Sequence, residues 1–254
     1  MAAPRLLGPR GLEPREIDRL APMDRPRGPV LAYETWRDVL WLHWPVPAPI
    51  LRPRLPSGLE LDRFEGQAFV SIVALRADRA RPALAPRRLA TSFLEVNVRT
   101  YVHVSGEEPG VHVLEALSSS RLARLALWLA AALRARTATI ETTHDTGLLT
   151  WSVEQARGHL SVECQLGGRQ GAAEPGTLDH FLLERYYIHE RRAGTLWSTR
   201  LHHEPLDLER ARVLELDEDL LPGLGLGAAT GEPIVHYARE VAVEVFWPSV
   251  RFLR

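Results

Sequence analysis

The chain has 254 residues, a formal net charge of −1 at neutral pH and a hydrophobic content of 45%. This length allows one large domain with a substantial core. The balanced charge gives no electrostatic case for nucleic acid or an anionic membrane surface as a partner. The chain contains no lysine, and Asn97 is its one asparagine. Because Cys164 is the single cysteine, no intrachain disulfide can form, which fits a reducing compartment, and we expect a cytoplasmic protein.

The first 29 residues carry arginines among prolines, glycines and acids, without the apolar stretch of a secretory signal. We predict a flexible or loosely attached leader over 1–29 and a single domain over 30–254. The longest apolar stretch, around Leu125–Leu133, is much shorter than the roughly 20 residues of a membrane-spanning helix. We therefore expect no membrane partner.

In chain order, Trp36–Trp44 predicts a short helix that the following prolines end. The pattern then becomes typical of strands: Leu59–Phe64 and Ala68–Leu75 predict a hairpin with Gly66 in its turn. Residues 78–91 are rich in arginine, proline and alanine, which predicts a loop, and its length indicates that it covers something.

The most informative segment is the predicted strand Phe93–Val104. Successive side chains of a strand point to opposite faces, so its polar odd positions share one face: Glu95, Asn97, Arg99, Tyr101 and His103. An acid, an amide, a cation, a phenol and an imidazole in one row predict the lining of a polar cavity. The alternative is an ordinary surface, or an ion pair that braces the sheet.

The rest of the chain predicts more strands and one long helix. Val111–Leu117 is the expected antiparallel neighbour of the Phe93 strand, and Ser118–Ser120 offers N-cap hydroxyls to an amphipathic helix over Arg121–Arg136. Gly167–Gly176 predicts a flexible connection, and Thr177–Phe181 a short helical turn. The further predicted strands are Thr137–Thr143, Gly147–Gln155, His159–Gln165, Tyr186–Glu190, Thr195–His203 and His236–Trp247. This succession predicts an α+β fold, mainly antiparallel β, curled into a barrel or cone.

Other polar residues are weaker candidates for a site. Glu184, Arg185 and Tyr186 repeat the acid, cation and phenol at a helix-to-strand junction, where local pairing of the arginine is the favoured explanation and access to the cavity the other. His202 and His203 are adjacent on a strand and face opposite ways, so they do not easily chelate one metal. We expect no metal and no cofactor.

Four segments together resemble one protein family. They are Trp36–Val46, Leu55–Asp62, Glu95–Val102 with its Glu-x-Asn-x-Arg-Thr-Tyr-Val pattern, and Phe181–Tyr186. On these segments the chain resembles the YqjF-like family of the acetoacetate-decarboxylase-like superfamily, from about Trp36 to Trp247. The resemblance implies a cone-shaped antiparallel β-barrel that encloses a pocket, with helices packed outside it.

The resemblance also bears on mechanism. Decarboxylases of this superfamily form a Schiff base between a lysine and an oxo acid, and this chain has no lysine, which excludes that mechanism. The resemblance places Glu95 where the superfamily has a cavity glutamate, and it makes Arg99 and Arg124 candidates for binding a ligand carboxylate.

Three hypotheses follow. The first is an acid/base enzyme that acts on a small carboxylate or oxo compound without a Schiff base, as a lyase, isomerase or cyclase. Its predicted catalytic residues are Glu95 and Tyr101, and its predicted ligand-binding residues are Asn97, Arg99, Arg124, His43, Glu184, Tyr186 and His202. The second is a protein that binds or senses a small ligand in the same cavity without catalysis. The third is a barrel filled by its own side chains, with the function at a homo-oligomer interface.

Overall fold

The computed structural model describes residues 17–131 and 133–252. In this part of the chain the strands are β1 Val30–Val46, β2 Glu60–Leu61, β3 Ala68–Pro82, β4 Thr91–Val104, β5 Glu107–Ser118, β6 Ala135–Thr137, β7 Thr139–Asp145, β8 Leu148–Gln155, β9 Gly158–Gly171, β10 Tyr187–Arg192, β11 Thr195–His202, β12 Leu208–Glu218, β13 Ile234–Phe246 and β14 Ser249–Phe252. The helices are α1 Ala48–Leu51, α2 Arg121–Ala131, α3 Leu178–Leu183 and α4 Leu220–Gly223.

Seven of these strands form a closed ring in the order β11, β10, β5, β4, β3, β1 and β13. The ring closes because β11 pairs with β10 on one edge and with β13 on the other. Neighbours in the ring are antiparallel except for β10 and β5, which pair in parallel. The prediction of an α+β, mainly antiparallel barrel is therefore confirmed. Beyond the ring, β12, β9, β8 and β7 continue the sheet from β13.

The two faces of the ring strands pack in different cores. On β4, Val96 and Val98 belong to an apolar cluster that also contains Trp151 and Val162 of β8 and β9. The opposite face of the ring strands forms a second cluster, which includes Trp41, Phe93 and Tyr101 together with residues of α3. Strand β4 is therefore buried on both sides, and its odd positions face the inside of the ring.

The predicted helix over Trp36–Trp44 is wrong, because this segment is the middle of β1. Leu40 and Leu42 pack in the first cluster, whereas Val39 and Trp41 pack in the second. A strand buried on both faces is a continuous apolar run, and hydrophobic periodicity does not distinguish such a run from a buried helix.

Several other boundaries also differ from the prediction. Strand β2 pairs with β4 rather than with β3, although Glu65 and Gly66 form the expected turn with positive φ angles. Strand β3 continues to Pro82 and β9 to Gly171. The predicted loop over 78–91 and the predicted connection Gly167–Gly176 are therefore both shorter than expected. Helix α2 ends at Ala131 and is followed by β6; residue 132 of the predicted helix lies outside the described residues. Strand β12 was not predicted.

The predicted leader is described only in part, since residues 1–16 lie outside the described residues. Residues 17–29 contact the domain. The Arg200 guanidinium donates to the carbonyl oxygens of Pro22 and Asp24 at 2.9 and 2.8 Å, and Arg25 pairs with Glu244 at 2.6 Å. None of the helices in the described part of the chain is long and apolar enough to cross a membrane.

Candidate functional site

The ring encloses a cavity with a volume of about 650 Å³. All seven ring strands contribute side chains to its wall, as do α2 and the segment after α3. Most of the wall is apolar; it includes Trp36, Trp41, Val73, Leu75, Phe93, Val113, Ala123, Leu127, Leu183, Ile188, Leu201 and Val245. Pockets that bind small molecules commonly measure roughly 300–1,000 Å³ and combine apolar walls with a few polar groups. The size and the lining of this cavity suit a small, largely apolar ligand.

A polar row from β4 crosses this apolar wall. Glu95, Asn97 and Arg99 all line the cavity, because alternate side chains of a strand share a face. The Asn97 amide donates to Glu95 Oε1 at 3.0 Å. Asn97 Oδ1 and Arg99 Nε are buried without a hydrogen-bond partner among the described residues. Two residues of the cavity wall therefore each have a buried polar atom without a partner, an acceptor on Asn97 and a cationic donor on Arg99.

Glu95 has a pKa close to neutral pH. Burial and, to a lesser extent, the nearby Glu34 carboxylate raise the pKa of Glu95 to about 7, against the opposing effects of the Asn97 hydrogen bond and the Arg99 charge. A carboxyl group with a pKa close to the ambient pH can both take and give a proton. Glu95 is the residue best suited to acid/base chemistry in this cavity.

Arg185 provides a second guanidinium on the cavity wall. Its Nη1 donates to Asp62 Oδ2 at 2.7 Å, and its Nε donates to the Phe181 carbonyl at 2.6 Å. Its Nη2 is buried without a partner among the described residues. Burial lowers the pKa of both Arg99 and Arg185, with Asp62 opposing this effect at Arg185. The sequence predicts a local partner for Arg185 and does not predict its position on the cavity wall.

Glu34 and His203 were also missed as lining residues. Glu34 accepts a hydrogen bond from the Trp36 indole at 2.8 Å, and burial raises its pKa. His203 stacks on Tyr186 with 4.5 Å between ring centroids, and burial lowers its pKa. The signal for Glu34 was present in the alternation of Glu34 and Trp36 along β1, but the prediction of a helix starting at Trp36 concealed it.

Tyr101 and His43 do not line the cavity. The Tyr101 hydroxyl lies 2.6 Å from Ser71 Oγ and 3.0 Å from His43 Nδ1, and it donates to the Leu182 carbonyl at 3.0 Å. Both side chains are fully buried in the packed part of the barrel. Neither side chain is part of the cavity lining, since β4 runs from the cavity into a closely packed region, and their role in a site stays a prediction. His103, the last of the row, lines a separate small pocket.

The other predicted ligand-binding residues also lie away from the cavity. Glu184 accepts hydrogen bonds from the Tyr186 hydroxyl at 2.5 Å and from the Leu206 amide at 3.0 Å. Arg124 turns outward toward β6, where it donates to the Ala135 carbonyl at 2.9 Å. His202 lies in an open groove, 3.7 Å from Glu244. Backbone acceptors and local partners, which sequence spacing does not reveal, hold these side chains elsewhere.

Other chemistry has less support from the geometry. No group of three or more histidine, cysteine, aspartate or glutamate side chains in the described residues is arranged to hold a metal ion. Cys164 is fully buried, and burial raises the pKa of its thiol to about 12. A thiol in this environment is a poor nucleophile.

The closed ring of strands around a cavity, with the sheet continued by β12, β9, β8 and β7, matches the acetoacetate-decarboxylase-like fold. The structure is similar to that of the enduracididine biosynthesis enzyme MppR complexed with pyruvate, with a TM-score of 0.62, 12% identity, and coverage of 89% of this chain and 91% of that one. It is also similar to an acetoacetate decarboxylase-like enzyme from Sphingomonas wittichii RW1, with a TM-score of 0.61, 11% identity, and coverage of 89% and 95%. At these identities the similarity shows the fold alone.

The chain belongs to the DUF2071 family, described as an uncharacterized conserved protein family, whose model matches residues 33–242. It is 30% identical over 228 residues to the protein "Uncharacterized protein YqjF" of Bacillus subtilis (strain 168), covering 88% of this chain and 93% of that protein. The resemblance in the sequence is thereby confirmed.

Proposed function

We propose that this protein binds a small, largely apolar carboxylate or oxo compound in the barrel cavity, and that Glu95 exchanges a proton with the bound compound. A lyase, an isomerase or a cyclase would use such a step. One observation carries the proposal: three residues that line the same cavity as Glu95 each have a buried polar atom without a hydrogen-bond partner among the described residues, namely Asn97 Oδ1, Arg99 Nε and Arg185 Nη2.

The two unpaired guanidinium nitrogens, Arg99 Nε and Arg185 Nη2, favour an anionic ligand group. A buried polar atom without a hydrogen bond costs roughly 1–3 kcal/mol, and more when the group is charged. A ligand carboxylate or enolate oxygen that accepts from Arg99 and Arg185 would remove this cost, and guanidinium groups suit carboxylates geometrically. The apolar wall would meanwhile bury the remainder of the ligand.

The tuned acid supports a reaction as well as binding. In its ionised form Glu95 can remove a proton from a carbon next to a carbonyl group, and it can return that proton to another atom. The guanidinium groups of Arg99 and Arg185 would stabilise the oxyanion that develops. Pyruvate, the compound bound to MppR in one fold neighbour, belongs to the same class of oxo acids. Because this chain has no lysine, it would act without a lysine Schiff base.

Non-catalytic binding or sensing is the second candidate function. It is favoured by the position of Tyr101, which lies outside the cavity lining and donates its hydroxyl proton to the Leu182 carbonyl. Glu95 then lacks the phenol that was expected to assist it. In this case the same cavity would hold a ligand with Glu95 and Asn97 as fixed polar contacts.

A ligand screen tests the binding step. Native mass spectrometry of freshly purified protein, followed by a thermal-shift screen of oxo acids and aromatic acids, would be run on wild type, Arg99→Gln and Arg124→Gln. Arg124 is the matched control, since this arginine points away from the cavity. We expect stabilisation by an acid that is lost in Arg99→Gln and kept in Arg124→Gln. Equal responses of all three proteins to every acid would contradict the proposal.

Proton exchange tests the catalytic step. An acid from the screen would be incubated with the protein in D₂O, and loss of the proton next to its carbonyl group would be followed by NMR. Exchange that stops in Glu95→Gln while the acid still binds supports catalysis. Binding without exchange in wild type would favour the second candidate, a binding or sensing protein.

A further inference from the structure

An open polar groove adjoins the cavity. It has a volume of about 1130 Å³ and shares three lining side chains with the cavity, namely Glu34, Arg81 and His203. These three side chains therefore lie at the boundary between an apolar chamber and a polar surface. A ligand that extends beyond the cavity past this boundary would enter the groove.

Arg81 is held rigidly at this boundary. Its Nη1 donates to the carbonyls of Ala83 and Ala85 at 3.2 and 3.0 Å, and its guanidinium lies 4.7 Å from the centroid of the Tyr33 ring. It forms no ion pair with a carboxylate in the described part of the chain. Arg81 is thus an ordered cation whose charge is not neutralised by a direct partner.

Two further arginines of the groove are exposed. Arg79 stands at a positive φ angle of 52° where the β3–β4 register shifts, and Arg87 belongs to a short 3₁₀ turn in the connection that follows β3. Neither forms an ion pair within the described residues. The carboxylate of Glu244 is already engaged by Arg25, with hydrogen bonds of 2.6 and 3.1 Å. With Glu34 accepting from Trp36, Glu204 is the remaining acid of the groove.

We propose that the ligand carries a phosphate group, which binds in this groove to Arg79, Arg81 and Arg87 while its apolar part lies in the cavity. The inference rests on the proposed function for the cavity end of the ligand. Arginine is well suited to phosphate, because its planar guanidinium can donate two parallel hydrogen bonds to phosphate oxygens. The cavity would then bind the acid or oxo group at one end of the compound, and the groove would bind the phosphate ester at the other end.

The test compares two compounds that differ only in the phosphate. Calorimetric titrations with ω-hydroxyoctanoate and with its phosphate monoester would be done on wild type, on the double variant Arg79→Gln/Arg87→Gln, and on Arg88→Gln. Arg88 is an exposed arginine of the same turn that does not line the groove. We expect wild type and Arg88→Gln to bind the ester at least about tenfold more tightly than the hydroxy acid, because charge-assisted hydrogen bonds are gained. The double variant should lose this preference.

Inorganic pyrophosphate separates the two proposals, since it probes the groove without the cavity. Pyrophosphate should perturb the NMR signals of the groove arginines in wild type and leave the double variant unchanged. If pyrophosphate does so while ω-hydroxyoctanoate does not bind, only the cavity proposal fails. Equal affinities for ester and hydroxy acid in wild type, together with no response to pyrophosphate, would overturn the phosphate inference while binding of the hydroxy acid keeps the cavity proposal intact.

Discussion

Two groups of buried polar side chains lie along the inside of the barrel, and they differ in whether they border open space. In the first, Tyr101, His43 and Ser71 form a compact network away from the cavity, in which the Tyr101 hydroxyl contacts Ser71, His43 and the Leu182 carbonyl, and His43 Nε2 has no partner among the described residues. In the second, Glu95, Arg99 and Arg185 surround a cavity, and both arginines retain an unpaired nitrogen. The first group stabilises the packed part of the barrel, whereas the second leaves hydrogen-bonding capacity for a ligand.

This difference explains why residue type alone did not identify the site. Tyr101 and Glu95 stand on one strand with the same alternation, yet only Glu95 lines open space. A buried polar group that already has its partners gains nothing from a ligand, because the ligand would have to replace existing hydrogen bonds. An unpaired buried group gains a full hydrogen bond from a ligand only where its residue borders open space, as Arg99 and Arg185 do.

The largest expected effect comes from the residue that holds Arg185 at the cavity. Asp62→Ala leaves a buried guanidinium without its carboxylate, and breaking a buried pair in this way costs about 3–5 kcal/mol. Asp78→Ala, which removes one of the two carboxylate partners of the partly exposed Arg37, should cost no more than about 1 kcal/mol. Urea denaturation measures both free energies of unfolding. Similar losses in the two variants would mean that Asp62 does not hold Arg185 as described.

The next effect is a pH dependence that belongs to Glu95. Its pKa of about 7 in the folded state exceeds the ordinary value of 4.5, so between these values the folded state binds more protons and stability falls as pH rises. Between about pH 5 and about pH 8 this loss amounts to roughly 2–3 kcal/mol.

The Glu95→Gln variant has no ionisable group at this position, so it should not show this loss of stability as the pH rises. The buried histidines with lowered pKa, among them His43 and His189, contribute the opposite slope, so the quantity to measure is the difference between wild type and the variant. Urea denaturation at both pH values would provide it, with Glu60→Gln at an exposed position as the control. A constant difference across this range would contradict the raised pKa of Glu95.

The smallest of the three effects concerns the paired network. Tyr101→Phe deletes a hydroxyl that three groups contact, and we expect a loss of about 2 kcal/mol in the free energy of unfolding. Tyr33→Phe keeps the ring under Arg81 and should be close to neutral. Ligand affinity in the cavity should be unchanged in Tyr33→Phe and should fall much less in Tyr101→Phe than in Arg99→Gln, because Tyr101 affects the cavity only through its interaction with the Arg99 side chain. A large drop in affinity with little change in stability would instead assign Tyr101 to the site.

The strand Phe93–Val104 was predictable, and so was the position of Glu95, Asn97 and Arg99 on one face, because alternation in a strand is a local property of the backbone. The point along β4 at which the polar side chains stop lining the cavity was not predictable. Whether an odd position of β4 meets open space or a packed neighbour depends on α3 and on the closure of β11 against β13. Arg185 reaches the cavity from a part of the chain distant in sequence, and its ion pair with Asp62 joins residues 123 positions apart.

The amino-acid sequence determined the mainly antiparallel α+β class, the polar row of β4 and the impossibility of a lysine Schiff base, since composition and alternation are read without knowing any contact. The tertiary structure decided that β1 is a strand buried on both faces, that the ring closes around a cavity, and that Arg185 and Glu34 join Glu95 there while Tyr101, His43, Glu184 and Arg124 do not. The physical reason is that a cavity forms only between elements that are in contact in the folded structure. These contacts depend on long-range packing rather than on the local sequence pattern.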